Sequence, residues 1–312
     1  MLEVTMGSDA IASGGGIALC VTTCRRDEGL ERLLASISDL DDLEQVPLTV
    51  VVVDNAGSLE AKRISECWGR KHGISVRYAH ESQRGISYAR NRALREVPED
   101  AEFVAFLDDD EVATPGWLTA MMEGVNRFNA DVWNGPVLSE YPADTPDWVM
   151  RGKFHERPRR ASGTARDRAN TGNVMFRRSL LDRLDLWFDP ELARSGGEDD
   201  DFFGRAVVAG AKIVWVDDAV VYERLEQARV SAKWILRRAY QYGYASTVIR
   251  RKRGGAGRMG AALVKACARV FLTPLTFWVG LLRVEWGVKA VGSGARGLGV
   301  FAALLGKDYK GY

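Results

Sequence analysis

No G-x-G-x-x-G follows the first predicted strand of this 312-residue chain, and no G-x-x-x-x-G-K-[ST] occurs in it. The first absence argues against a dehydrogenase, and the second removes the phosphate grip of a P-loop. Cysteine is scarce: Cys20, Cys24, Cys67 and Cys267 show no C-x-x-C spacing, so neither a zinc site nor a disulfide frame is expected, and the thiols read as those of a reduced, cytosolic protein. The N-terminus lacks a basic segment followed by a long apolar one, so no secretory signal is expected. There is no internal repeat. In the C-terminal tail the longest stretch without a charge, Val270 to Leu282, has 13 residues and includes Pro274. A bilayer-spanning helix needs about 20 apolar residues, which argues against a simple transmembrane segment.

What is present is an ordinary globular composition, 46% hydrophobic and 27% charged, long enough for one large domain with an appendage. The net charge of +1 hides a division. Residues 1–223 carry 26 Lys and Arg against 39 Asp and Glu, whereas residues 224–312 carry 17 against 3. A basic, Trp-containing tail on an acidic body suggests an anionic surface as partner, either nucleic acid or a membrane leaflet.

The organising stretch is FVAFLDDDEV, Phe103 to Val112. Five apolar residues fit a strand buried on both faces of a parallel sheet. The acids Asp108, Asp109, Asp110 and Glu111 would then emerge at its C-terminal edge, where open α/β sheets bind ligands. Carboxylates so crowded repel one another unless a cation sits among them, so a hard divalent metal carried by a phosphorylated substrate is expected there. Upstream, IALCVTT predicts a first strand from Ile17, after a Gly-rich, disordered residues 1–16. A helix over Gly29–Leu40 follows, then a strand LTVVVV ending in Asp54-Asn55, a helix over Leu59–Lys71 and a strand over Ser75–Ala79. Gly85 opens a helix carrying Arg90, whose N-terminus can hold a phosphate. The order β-α-β-α-β-α-β predicts a Rossmann-like parallel sheet.

Beyond Trp117 an amphipathic helix to Phe128 and one strand over Asp131–Val137 are predicted, then a long irregular segment, Ser139 to Arg168. Order returns at Ala169 to Phe176, where Gly172 allows close backbone approach before a strand. A second acidic cluster, Glu198-Asp199-Asp200-Asp201, opens a helix. Acids in a first helical turn suit the helix dipole, but this many exceed what capping needs, and one of them is a candidate base. Short closing strands are predicted over Ala211–Val216 and Ala219–Tyr222. The tail predicts a basic amphipathic helix over Arg229–Tyr244, the run Arg250 to Arg253, and apolar segments over Ala261–Leu282 and Val300–Leu305. An interfacial helix pair on the membrane fits these features, as does a packed helical subdomain.

Six motifs in order, CVTTCRR, VVVDN, GISYARNRAL, FLDDDE, NTGNVMF and GGEDDDFFGRAVVAGAKI, make the chain resemble the family 2 inverting glycosyltransferases of GT-A fold, and more narrowly the succinoglycan type of bacterial exopolysaccharide assembly. The resemblance covers about residues 17–245. It implies an α/β GT-A domain over 17–228 with a basic helical extension over 229–312. It also implies a nucleotide-sugar donor, a UDP-hexose in particular, and a lipid-linked or polysaccharide acceptor met at the inner face of the plasma membrane, with no nucleic acid partner. Thr22, Thr23, Arg25 and Asp54 would line the base and ribose pocket, and Arg90 would lie near the diphosphate. Asp108 and Asp110 would fill the D-x-D positions, Asp110 binding Mn2+ or Mg2+. Glu198 and Asp199 would match the family's acidic pair, with Asp199 the general base. Where many such enzymes carry a metal-binding His, this chain has Glu223, read either as a metal ligand or as an acceptor-side residue. A nucleotidyltransferase would want a Gly- and Lys-rich signature near the first strand, which CVTTCRRDEG lacks.

Overall fold

The apolar run ahead of the first acidic cluster forms the middle of a sheet, with Phe103 to Leu107 each at most 1% exposed. Burial of successive residues requires cover on both faces, and two core clusters supply it. The computed structural model describes residues 15–254, 256–278, 282–307 and 309. The expectation of disorder over residues 1–14 falls outside these, and Gly16 is already the first residue of β1.

The chain divides into two compact units. One comprises the chain up to Leu138 together with Arg157–Phe188 and Phe202–Glu223, and the other comprises Ser139–Glu156, Asp189–Asp201 and Arg224–Tyr312. The first opens with β1 (Gly16–Thr23), α1 (Asp27–Ser38), β2 (Leu48–Asp54), α2 (Leu59–His72), β3 (Ser75–His80), α3 (Ile86–Glu96) and β4 (Ala101–Asp108). Helix α1 buries Leu30, Leu33, Leu34 and Ile37, the i, i+3, i+4, i+7 stripe that its spacing predicts. Helix α2 is capped by Ser58, whose Oγ accepts from the Ala61 amide at 3.2 Å, and it ends at Gly73 in the left-handed conformation.

After β5 (Glu111–Ala113) and α4 (Trp117–Arg127), the expected strand over Asp131–Val137 is two strands, β6 (Val132–Asn134) and β7 (Val137–Glu140). Pro136 has no amide to give a ladder, and the Gly135-Pro136 break sends the chain out of the main sheet. The stretch read as irregular holds α5 (Asp147–Gly152) and β8 (Ala165–Arg166). There follow β9 (Asn173–Arg177), α6 (Ser179–Leu184), α7 (Glu198–Val208), β10 (Ile213–Trp215) and β11 (Val221–Arg224).

The main sheet has the order β3-β2-β1-β4-β9-β6-β10-β8. Strands β1 to β4 are parallel, and β9 runs against both β4 and β6. One core cluster lies under α1, α2 and α4, and the other is built around Phe106, Phe176, Phe188, Phe202 and Phe203. The Phe188 and Phe202 rings stack with centroids 4.2 Å apart.

The second unit is mainly helical: α8 (Ala232–Lys252), α9 (Ala256–Phe277) and α10 (Val284–Leu304). Glycines let α10 press onto its neighbours. A Cβ on Gly299 would collide with the Tyr240 carbonyl oxygen of α8, and one on Gly243 with the Arg296 carbonyl oxygen of α10. Helix α8 extends eight residues beyond the predicted Tyr244 and takes in the basic run to Lys252. Helix α9 begins five residues ahead of the apolar segment expected over Ala261–Leu282. Because it continues through Lys265 and Arg269, its segment Met259–Phe277 is long and apolar enough by length and composition to cross a membrane, whereas the charge-free run alone is not.

Gly299→Val should therefore lower stability by about 2 kcal/mol or more, since backbone faces backbone there and no side chain can yield. Gly257→Ala, with nothing within 4 Å of its added carbon, should leave stability unchanged or raise it slightly. Denaturant midpoints followed by circular dichroism compare the two, and equal midpoints would show that the helices are not held at backbone contact.

Candidate active site

Parallel register sets several functional side chains side by side. Thr22 of β1 pairs with Asp108 of β4, and Thr23 pairs with Asp54 of β2. The C-terminal ends of β2, β1 and β4 thus share one edge, the edge at which open α/β sheets take their ligands. Because β9 is reversed, its N-terminal end arrives at the same edge, with Asn173 opposite Leu107. The residue before it, Gly172, lies so close to the acids that an added Cβ would sit 2.5 Å from Glu111 Oε1 and 3.3 Å from Asp108 Oδ2.

The acids themselves sit in different surroundings. Asp109 is 5% exposed; its carboxylate accepts from Thr23 Oγ1 at 2.9 Å and from Arg26 at 3.0 Å. Burial outweighs those cationic and hydrogen-bond contacts and pushes its pKa up to about 6. Arg26 also donates to Asp110 at 2.8 Å. Glu111 accepts from the Asp108 amide at 2.8 Å and is buried. Its pKa is raised well above the ordinary carboxylate value, first by desolvation and then by Asp108 and Asp110. Glu223 of β11 stands opposite Glu111 of β5 in an antiparallel pair and adds to that repulsion, while Arg157 reaches Glu223 at 3.4 Å.

Arg90, 5% exposed, pairs with Asp108 at 3.3 Å and lies 5.6 Å above the Phe188 ring. Its neighbour Asn91 exchanges two hydrogen bonds of 2.8 Å with the Phe188 backbone, which fixes this turn of α3. Asp54 is fully buried, and its carboxylate serves its own loop: it accepts from the Ala56 amide at 2.7 Å, from the Ser58 amide, and from the Tyr78 hydroxyl at 3.3 Å. Arg25 is exposed and held at a φ of 57°.

The second acidic cluster belongs to the second unit and is shaped by α8. Gly196 and Gly197 have φ of 80° and 86°, in the left-handed region where side chains are disfavoured. A Cβ on Gly196 would meet Gln241 at 3.0 Å, and one on Gly197 would meet Ile249 at 2.9 Å. Gln241 donates to the Ser195 carbonyl at 3.2 Å, and Arg253 donates to the carbonyls of Asp200 and Asp201 at 2.7 and 3.2 Å. Glu198 and Asp201 are buried, whereas Asp199 is half-buried and its Oδ1 accepts from the Asp200 amide at 2.8 Å.

Thr22, Thr23, Asp54, Arg90, Asp108 and Asp110 are thus brought to one sheet edge in the first unit, while Glu198 and Asp199 open α7 in the second. Reading the sequence passed over Arg26, Asp109 as its partner, Gln241 and Arg253. Nothing in two adjacent arginines says which one turns inward, since a turn has no periodicity. Among the described residues no group of three or more His, Cys, Asp or Glu is disposed to hold a metal ion. The donors at the β4 edge are all oxygen and mutually repulsive, which suits a hard cation that takes its remaining ligands from substrate phosphate.

The family model described as Glycosyl transferase family 2 matches residues 18–185. The succinoglycan biosynthesis protein ExoM of Rhizobium meliloti (strain 1021) is 34% identical over 228 residues, which is 73% of this chain and 72% of that protein. The glucosyl-dolichyl phosphate glucuronosyltransferase of Haloferax volcanii is 23% identical over 256 residues, 75% of this chain and 76% of that one. Among solved structures, the mannosyltransferase PcManGT from Pyrobaculum calidifontis in complex with GDP-Man and Mn2+ matches with a TM-score of 0.65 at 19% identity, covering 96% of this chain and 89% of that one. At that identity the likeness speaks for the fold.

Asp109 offers a test of the acidic edge. Its ordinary value is 3.8 and its folded value about 6, so between these the folded state binds more protons than the unfolded one. Stability must fall as pH rises through that window and stay lower above it, by at most about 3 kcal/mol. Asp109→Asn should flatten this part of the curve in thermal melts taken with a chelator present. Parallel curves for the variant and the parent would mean that the buried carboxyl carries no such cost.

Proposed function

Because this chain belongs to glycosyl transferase family 2, an enzyme family represented here on the GT-A fold, we propose that it moves a hexose from a nucleoside-diphosphate sugar to a lipid-linked or polysaccharide acceptor of exopolysaccharide assembly, with inversion at the anomeric carbon. UDP-hexoses come first among the donors to try; GDP-mannose follows, since the Pyrobaculum calidifontis structure carries GDP-Man. The observation that carries the reading is the shared edge of β1, β2 and β4, where hydroxyls, the buried Arg90 and crowded carboxylates meet the glycine-led start of β9.

In this reading Thr22, Thr23 and Arg25 form the wall against the base and ribose. Asp54 stands beside them at the end of β2 and holds the Ala56–Ser58 loop through its amide contacts. Arg90 orients Asp108, and Arg26 keeps Asp109 and Asp110 in position until the donor arrives. Asp110, with Asp108 beside it, would hold Mn2+ or Mg2+ together with the donor's phosphates. When bound, that ion supplies positive charge against the departing nucleoside diphosphate. Asp199 takes the proton of the acceptor hydroxyl at a carboxylate oxygen, and the freed oxygen attacks the anomeric carbon from the face opposite the leaving group. Gln241 and Arg253 hold the backbone on either side of that residue through the carbonyls of Ser195 and Asp200. The exposed apolar residues of α9 and α10 beside basic ones support a place on the inner face of the plasma membrane.

Asp199→Asn should lower the rate of transfer by roughly 10²- to 10⁴-fold, the range for a lost general base, and leave donor affinity within about threefold. Retention of full turnover would remove Asp199 from the mechanism. Asp110→Asn should abolish the thermal protection that Mn2+ and a UDP- or GDP-sugar together give the parent enzyme. If no sugar nucleotide in the panel protects or is turned over with Mn2+ present, the transferase reading fails at the donor.

A further inference from the structure

The second unit carries a groove of about 620 Å³ along the hairpin of α9 and α10, lined by Lys265, Arg269 and Leu272 on one side and by Trp286, Lys289 and Ser293 on the other. Its walls are mostly carbon, and every charged member is a cation. Among the described residues neither Lys265 nor Arg269 has a carboxylate partner, and Lys289 lies 5.7 Å from the Phe154 ring. The acid of α10, Glu285, is buried and paired with Arg151 at 3.3 Å. The helices are aligned closely: Thr273 Oγ1 lies 3.4 Å from the Ala290 carbonyl, and a Cβ on Gly294 would meet Thr273 at 2.5 Å.

That alignment gives the groove a polarity gradient. Lys265 and Arg269, one turn apart on α9, mark one end, and Thr276 and Trp286 mark the other. The helical rise separates Lys265 from Thr276 by about 16 Å. Beyond the second end the hairpin exposes Phe277, Trp278, Leu282 and Val284, with Trp278 70% and Leu282 78% exposed. Tryptophan at such a tip is the residue suited to a membrane interface.

We propose that this groove binds one long-chain lipid by its phosphate, with the cations of Lys265 and Arg269 on the phosphate oxygens and the hydrocarbon chain running past Leu272, the stem of Lys289 and Trp286 toward the hairpin tip. The occupant is the lipid that carries the acceptor sugar, so the proposal rests on the lipid-linked acceptor reading above. A bulk leaflet needs only a broad basic face. An apolar cleft with Lys265 and Arg269 one turn apart at one end, a third cation further along and no acid in its lining matches a single phosphorylated head and its chain.

Flotation of the full-length enzyme tests this with three vesicle types: phosphatidylcholine alone, phosphatidylcholine with a long-chain prenyl phosphate, and phosphatidylcholine with phosphatidylglycerol at matched surface charge. The parent should prefer the prenyl phosphate vesicles over the charge-matched ones by about tenfold or more, and the triple change Lys265→Gln, Arg269→Gln, Lys289→Gln should erase that preference. Replacing both lysines by arginine should keep it, which guards against loss through misfolding. Equal binding to both anionic vesicles would overturn the proposal in favour of a general leaflet contact. Self-association in sedimentation without vesicle binding would overturn it in favour of a second copy of the chain. Release of nucleotide from the donor in water is measured apart from vesicles. Preference without turnover sinks only the transferase reading, and turnover without preference sinks only the groove.

Discussion

Like-charge crowding at the end of β4 is the constraint around which the first unit is built. Four acids in succession cannot be placed at a buried strand end unless something answers their repulsion, and here burial raises the proton affinity of Asp109 and Glu111 while Arg26 and Arg90 supply cations. Every neighbouring element contributes to the balance. Strand β1 brings Thr23, α3 brings Arg90 locked in place by Asn91, and Gly172 leaves the space that Glu111 fills.

The second unit solves a different problem. Its acidic turn needs backbone that side chains would forbid, so it uses Gly196 and Gly197 and rests them on Gln241, Ala245 and Ile249 of α8. Helix α8 in turn meets α10 at backbone distance through Gly243 and Gly299. A chain of glycine contacts therefore runs from α10 through α8 to the Glu198 turn. The tail is scaffold for a candidate catalytic residue as well as a surface.

The sheet and its crossover helices were legible from the sequence because strong periodicity and buried runs coincide there, as in LTVVVV and in the Leu30–Ile37 stripe. The acids of β4 and the close approach at Gly172 were legible for the same reason: a strand fixes where its end must lie. Three features escaped. Gly135-Pro136 divides what reads as one strand, because tertiary pairing rather than propensity decides where the second half goes. Arg26, not its exposed neighbour Arg25, meets the acids, and that choice is made by a left-handed residue at position 25 that no pattern announces. Helix α9 runs through two charges that a count of uncharged residues treats as ends.

Strand β9 is the reversed member of an otherwise co-directional neighbourhood. Were it parallel to β4, the segment leading into it would enter from the far side of the sheet, and the carboxylate edge would be served only by chain that is departing. Its reversal lets a connection from elsewhere in the molecule land among those carboxylates. Gly172 is that landing point, and only a residue without a side chain fits it against Glu111 and Asp108, so the reversal ties the placement of the acids to one glycine.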